Sequence, residues 1–415
     1  MSIYQQLLKR QESHDPIKVG VIGAGQMGFG MISQIAQIPG MQVTGISDIN
    51  LDNANHAKNA YLEKSRQAHD VFVHTDFNEV VKHPQVDVLV DATGVPEVGA
   101  NLALMTLLHK KHLVLLNVEI DITVGPLLYH LYNAAGLVYS GSDGDEPAST
   151  FELYEFAKSM GLEVLVAGKG KNNKLREQAN PDTVYDEAIR RKMNPHMLAS
   201  FADGTKTMGE MTLLANAIGF TIDKTGMHGI AGDLKETVKQ LRTKDEGGVL
   251  DQYGVVEYVD GIAPGVFVIV KADNQGVSDQ LNYMMKVDND HHILYRPYHL
   301  ASLETPITIA KAIIDGQASI TPKAGQLMDT VAVAKKDIKQ GEKLDGIGGY
   351  CVRGVIEKNS VVREKNLVPI GLISGNVVAK RDIDNGTFIS EDDVELDTST
   401  TVWKLRKLQD RLLNE

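Results

Sequence analysis

The stretch IKVGVIGAGQMG, from Ile17, constrains the fold more than any other part of the chain. An apolar run ends in Gly23-Ala24-Gly25, and a third glycine, Gly28, follows where a helix should begin, so the segment predicts strand, tight turn and helix. Gly23 permits the turn, Gly25 has no Cβ to hold a pyrophosphate off the backbone, and Gly28 lets the helix lie close to the strand. The turn Gly23, Ala24, Gly25, Gln26, Met27 and Gly28 is thus the expected phosphate cradle, with the helix N-terminus receiving the negative charge. A second apolar run, MQVTGISD, ends in Asp48, 20 residues beyond Gly28 and in the place of a carboxylate that holds ribose hydroxyls. A third, VDVLVDATG, ends in Ala92, Thr93 and Gly94, at the strand edge where open α/β sheets bind ligands. Together they predict binding of a nicotinamide dinucleotide, NAD(P)(H).

Strand and helix signals keep alternating through residue 166, which predicts an α/β, Rossmann-type doubly wound parallel sheet whose last strand is GLEVLVAG. Residues 167–325 mix helical stretches with β-rich sequence and predict an α+β catalytic and oligomerisation domain. Residues 326–415 contain an internal repeat, VAKKDIKQGEKL from Val333 and VAKRDIDNGTFI from Val378, at an offset of 45, which predicts a small β module with pseudo-symmetry. The chain then finishes in an amphipathic helix with Trp403, Leu405, Leu408 and Leu412 on one face, packing on its own protein or on a subunit. Residues 1–16 read as a helical arm that packs on a neighbouring subunit of a homo-oligomer.

Composition fits such a chain: 415 residues, 43% hydrophobic and 23% charged, are enough for two or three ordinary globular domains. The single cysteine, Cys351, fits a reducing compartment and reads as a packed β residue. A net charge of −12 argues against nucleic acid or an anionic membrane as partner. With no signal-peptide core and no run approaching the about 20 apolar residues of a membrane span, a cytoplasmic location is expected.

The motifs VGVIGAGQMG, SGSDGDEPAS, GKGKNN, NPHMLASFADGTKTMGEM, GIAPGVF and LYRPYHLASLETP, with AKKDIKQGEKLDGIGGY and AKRDIDNGTFISEDDVEL, carry a family resemblance. From about Ile17 to Leu396 the chain resembles the 1-deoxy-D-xylulose 5-phosphate reductoisomerase-like oxidoreductases, relatives of homoserine dehydrogenase with a C-terminal SAF domain. The resemblance implies NAD(P)-linked redox chemistry on a small phosphorylated or otherwise anionic polyol or keto sugar. It also implies a divalent cation, magnesium or manganese, for which the acidic run Asp143, Asp145 and Glu146 after Ser142 offers oxygen ligands. Asp145 is equally a helix cap.

Several polar residues stand where apolar ones would be expected. In the helix starting near Pro195, Asp203, Lys206 and Glu210 are spaced three and four apart and share a face, either a solvated one or one turned to a ligand. The small neighbours Ala202, Gly204, Thr205 and Thr207 favour the ligand. Lys206 is then the group that polarises or protonates the substrate oxygen, with Asp203 holding it. GKGKNN offers Lys169, Lys171, Asn172 and Asn173 to an anionic substrate. Glu119, closing the strand LLNVE, is expected to contact the nicotinamide ribose or the substrate. Arg296 and His299, in YRPYHL, are further substrate-binding candidates, although an internally hydrogen-bonded histidine is the simpler reading for His299, as it is for His228. No HExxH or Cys/His spacing supports zinc.

Two classes of function follow. One is an oxidoreductase, with reductoisomerase chemistry as the family expectation and a homoserine-type dehydrogenase as its alternative. The other is a dinucleotide-regulated carbohydrate-binding protein without catalysis. On cofactor choice the residues and the resemblance disagree: Asp48 should repel a 2′-phosphate and favour NAD(H), whereas the relatives are associated with NADP(H).

Overall fold

A computed structural model describes residues 1–65, 69–287 and 289–413. The chain forms two compact units, one of residues 1–145 with 300–321 and from 398 onward, the other of 146–299 with 322–397.

The first unit holds six strands, β1 (Ile17–Ile22), β2 (Met41–Ser47), β3 (Phe72–His74), β4 (Val88–Asp91), β5 (His112–Leu115) and β6 (Tyr139–Gly141). They form one parallel sheet in the order β3-β2-β1-β4-β5-β6, the Rossmann arrangement. Val19, Val21, Val88, Val90 and Val114 are fully buried, as continuous apolar strands are when helices cover both faces. The order reverses between β1 and β4, so the crevice for a ligand opens at their carboxyl ends.

The N-terminal helix Ile3–Glu12 does not reach outward as an arm. Leu7 enters the core of this sheet, and Gln11 accepts the Gly40 N–H at 2.9 Å. The C-terminal helix Thr401–Leu413 also belongs here and not to the β module that precedes it in sequence. Glu97 accepts the N–H groups of Thr401 and Val402 at 2.9 Å each, Val402 and Leu405 are buried, and Gln409 accepts the Leu127 N–H at 3.0 Å. An amphipathic pattern states that a face is covered, not which element covers it.

The second unit is built on β7 (Glu163–Lys171), β8 (Ile230–Ala231), β9 (Val255–Asp260), β10 (Val266–Lys271) and β11 (His291–Arg296), in the order β11-β10-β7-β9-β8. GLEVLVAG is therefore the central strand of this mixed sheet, parallel to β9 and antiparallel to β10, instead of the last strand of the first. A buried apolar run reads the same in either setting. Helices Glu146–Ser159 and Thr205–Ile218 cover one face through Ala157, Met208, Met211 and Leu214 against Ala167, Val256 and Val268.

The same unit contains β12 (Met328–Ala334), β13 (Lys343–Leu344), β14 (Val352–Lys358), β15 (Val377–Ala379) and β16 (Val394–Glu395). The two repeats close on each other. Ile338 and Ile383 exchange both backbone hydrogen bonds at 2.9 Å. Asp382 accepts the Gln340 N–H at 2.8 Å, and its counterpart Asp337 accepts the Asn385 N–H at 2.9 Å. Cys351 is buried, and burial pushes its thiol up to about 11, which suits packing and not nucleophilic chemistry. Among the described residues no helix is long and apolar enough to cross a membrane.

Candidate cofactor and active sites

At the end of β1, Gly23 has φ +95°, and a Cβ there would stand 2.8 Å from the Ala92 carbonyl oxygen. A Cβ on Gly28 would stand 1.9 Å from the Gly23 carbonyl oxygen, so the strand and helix meet only because residue 28 is glycine. Gly25 differs: it caps the helix Gln26–Ile35 without a side-chain bond, and a Cβ there would meet nothing within 4 Å. Open space lies in front of an uncapped helix N-terminus, which is the cradle a pyrophosphate fills. Ala24 is buried, Met27 half-buried and Gln26 exposed. Asp48 braces the turn, with one oxygen accepting the Ala24 N–H and the other the Asn50 N–H, both at 2.8 Å.

Across the crevice Asp91, fully buried at the end of β4, accepts from the Thr93 N–H at 2.9 Å, the Thr93 hydroxyl at 2.6 Å and Asn117 Nδ2 at 2.8 Å. Burial raises its pKa, and these hydrogen bonds oppose the rise. Asp91 thus fixes Ala92, Thr93 and Gly94 at the sheet edge. Asp91 and Asn117 are not among the residues expected from the sequence, although an acid ending an apolar strand is a signal of this kind. Glu119 does not close β5, which ends at Leu115; it is buried in the first turn of the helix Val118–Ala134.

In the second unit Lys169 and Lys171 alternate along β7 and so face one side of the sheet. Lys169 is buried and donates to Glu146 Oε1 at 2.7 Å and to Glu210. Burial disfavours its charge, but the two carboxylates outweigh burial and raise its pKa. Glu210 is raised by burial and by the like charge of Glu146, against the pull of Lys169 and Lys206. Among the described residues Lys171 has no carboxylate within ion-pair distance. Burial and the charge of Lys169 push it down to about 8, opposed by Glu210, Asp203 and Asp260, while its Nζ donates to the Phe201 carbonyl at 3.1 Å. His299 Nε2 lies 3.3 Å from Glu146 Oε1.

Asp203, Lys206 and Glu210 do not share one helix. The helix Pro195–Ala202 ends at Asp203, Gly204 turns with φ +90°, and a new helix starts at Thr205. Asp203 caps this break by accepting the Thr205 N–H at 2.9 Å, and its cation is Lys335 Nζ at 2.8 Å, not Lys206. Both members of that pair are buried, and Lys335 also donates to the Ala179 carbonyl at 2.7 Å. The glycine in SFADGTK marks the break in the sequence; nothing local marks Lys335 as the partner. Lys206 is half-buried, and its charge acts on Glu210.

The remaining candidates are engaged elsewhere or exposed. Asn172 is exposed, and Asn173 Oδ1 accepts from Arg191 at 3.3 Å. Arg296 donates to Ser149 Oγ at 3.2 Å and Glu152 at 3.1 Å and lies over the Tyr298 ring. Within the acidic run, Asp143 is turned to other partners than a metal ion. Asp143 is held by Lys311 at 2.9 Å and by the hydroxyls of Ser319 at 2.6 Å and Thr308 at 3.1 Å, while Glu146 is ion-paired with Lys169. Asp145 precedes the helix that begins at Glu146, and its N–H donates to the Ser142 carbonyl at 3.3 Å.

Comparison with known proteins finds matches for three segments of the chain. Residues 144–305 match the family model described as oxidoreductase DRL, catalytic domain, residues 17–116 match the N-terminus of dihydrodipicolinate reductase, and residues 329–395 match the SAF domain. The chain thus matches an oxidoreductase catalytic domain followed by a SAF domain. A homoserine dehydrogenase of Synechocystis is 28% identical over 123 residues, covering 29% of this chain and 28% of that protein. A glycosyl hydrolase family 109 protein of Saccharopolyspora erythraea is 27% identical over 84 residues, 20% of this chain and 18% of its own length. The chain thus spans less than a third of either relative. Among solved structures, a probable dehydrogenase from Thermotoga maritima aligns with 75% of this chain and 92% of its own at 16% identity and a TM-score of 0.45. A myo-inositol dehydrogenase from Corynebacterium glutamicum aligns with 73% and 90% at 12% identity and a TM-score of 0.41.

Proposed function

We propose that the protein is an NAD(P)-dependent oxidoreductase that interconverts a carbonyl and an alcohol on a small anionic keto sugar or polyol, with Lys171 as the proton-transfer group. The observation that carries this reading is the contrast on β7, where Lys169 is locked between two carboxylates while Lys171, two residues on, is pushed down to about 8. The nicotinamide, when bound, supplies or accepts the hydride. The glycine turn and the helix N-terminus hold the pyrophosphate, and Asp48 holds the turn and meets the ribose. Lys171 gives its Nζ proton to the substrate oxygen in reduction and takes it back in oxidation, which an amine titrating near the working pH does well. Lys169 stays charged and keeps Lys171 depressed, and Lys206 adds positive charge beside Glu210.

Reductoisomerase chemistry on a sugar phosphate is the finer reading, supported by the resemblance of the long motifs; the Synechocystis match supports a homoserine-type dehydrogenase as the second. The net charge of −12 supports a small-molecule partner over nucleic acid, and a homo-oligomer remains part of the proposal. Titration with NADH and NADPH followed by nicotinamide fluorescence, then a panel of keto sugar phosphates, polyols and amino alcohols followed by nicotinamide absorbance, tests the reading. Binding of a dinucleotide and turnover of an anionic carbonyl or alcohol are expected. Failure to bind either dinucleotide would contradict it.

A further inference from the structure

One buried lysine of the SAF domain reaches the helix break beside β7. Lys335 follows the end of β12; its N–H donates to the Cys351 carbonyl at 2.9 Å, and its side chain is 1% exposed. Its Nζ donates to Asp203 Oδ2 at 2.8 Å and to the Ala179 carbonyl at 2.7 Å. Asp203 Oδ1 accepts the Thr205 N–H at 2.9 Å, and the Asp203 N–H donates to the Ala199 carbonyl at 2.8 Å, so Asp203 fixes the end of the helix Pro195–Ala202. The Phe201 carbonyl at that same end receives Lys171 Nζ at 3.1 Å. Hydrogen bonds and a short piece of backbone thus join Lys335 to Lys171.

Stability alone does not call for this arrangement. A buried ion pair gains little over an apolar pair of similar volume, because both charges lose their water. In the second copy of the repeat the equivalent Lys380 is exposed and donates to the Glu391 carbonyl, so the packing of the repeat does not require the pair either. What the pair controls is the charge beside Lys171. The groups acting on Lys171 are Lys169 on its own strand, Glu210 on the helix Thr205–Ile218, Asp203 at the helix break and Asp260 on β9. Burial and the charge of Lys169 disfavour its ammonium, and the three carboxylates favour it. Glu210 is taken by Lys169, and Asp203 by Lys335. Without Lys335, Asp203 would be a buried carboxylate short of its cation, beside Lys171.

We propose that Lys335 is a positioning residue for Lys171: by supplying the cation of Asp203 it keeps Lys171 on the Phe201 carbonyl and available to the substrate oxygen, so that the SAF domain completes the active centre. This rests on the reading of Lys171 as the proton-transfer group. A carbonyl seats the ammonium as a neutral acceptor, whereas a carboxylate partner would hold its proton more firmly and compete with the substrate.

The test follows the Cε resonance of Lys171 against pH in the full chain labelled with carbon-13 lysine and without added substrate, the resonance being assigned by its loss in Lys171→Met. Wild type should titrate near pH 8. In Lys335→Met the midpoint should rise by about one pH unit or more, because the unpaired Asp203 then favours the Lys171 ammonium. In Asp203→Asn it should fall, since the charge of Lys335 is left uncompensated. The double variant Lys335→Met with Asp203→Asn removes one charge of each sign and should return the midpoint to within about 0.3 of wild type. A role confined to stability would lower the melting temperatures and leave the midpoints together. If Lys335→Met does not fold, the difference between Asp203→Asn and the double variant carries the test. Equal midpoints in Lys335→Met and wild type, or in Asp203→Asn and the double variant, would overturn the proposal. A wild-type midpoint near the ordinary 10.5 would overturn the reading of Lys171 itself, and this proposal with it.

Discussion

Asp48 is tied into the fold at the position proposed for ribose binding. Both its oxygens already accept backbone N–H groups at 2.8 Å, so Asp48→Ser should loosen the glycine turn for either dinucleotide while removing the charge that repels a 2′-phosphate. The ratio of NADPH to NADH affinity should rise by about tenfold or more, measured by fluorescence titration of both cofactors. An unchanged ratio would show that Asp48 only braces the turn. The glycines were legible in the sequence because their constraint is local, a positive φ at Gly23 and a close approach at Gly28. The partner of Asp203 was not, because Lys335 lies 132 residues away. Asp121 is a second residue hidden by its surroundings: fully buried, it is raised to about 7 by burial, with Tyr139 opposing. A folded pKa above the ordinary 3.8 means that the fold holds a proton the unfolded chain releases. The associated stability is complete below about pH 4 and is lost as pH rises through about 7, by roughly 4 kcal/mol at most. Asp121→Asn removes that loss. Urea unfolding at about pH 5 and about pH 8 should show the variant gaining on wild type at the higher pH; parallel losses would contradict the assignment.

At the scale of elements, the helix break at Asp203 and Gly204 decides which groups meet. A continuous helix from Pro195 would set Asp203, Lys206 and Glu210 in one row; the turn instead hands Asp203 to Lys335 and leaves Glu210 to Lys169. The repeat at an offset of 45 was readable, and its two copies do pair at Ile338 and Ile383, but the equivalent lysines diverge. Lys380 is exposed and donates to the Glu391 carbonyl at 2.9 Å, whereas Lys335 is buried against Asp203. Sequence symmetry could not show that difference, since it arises from what lies outside the repeat. Lys335→Met should cost about 3–5 kcal/mol, because it leaves a buried carboxylate without its cation. Adding Asp203→Asn should recover part of that loss in denaturant unfolding; full additivity of the two losses would show that the pair is not coupled.

For the whole molecule, the division of the chain is not the division of its sequence. The first unit is completed by Thr401–Leu413, so a chain ending at residue 398 should lose more than about 5 °C of thermal stability. Melting curves of the full and shortened chains would check this, and coincident curves would refute it. The sheet order was legible because each βα step repeats one pattern, while the assignment of β7 to the second sheet depended on pairings with β9 and β10 that follow it in sequence. In the proposed mechanism dinucleotide binding falls to the first unit and proton transfer to Lys171 in the second. The pH dependence of turnover in wild type and Lys171→Met tests that assignment most directly. In wild type, carbonyl reduction should fall above about pH 8 as Lys171 loses its proton, and alcohol oxidation should rise through the same pH. In Lys171→Met that limb should vanish and turnover should drop by roughly 10² to 10⁴ with NADH affinity unchanged. A variant that keeps more than about half of wild-type turnover and the same pH limb would contradict the account, because an essential acid and base cannot be removed at so small a cost.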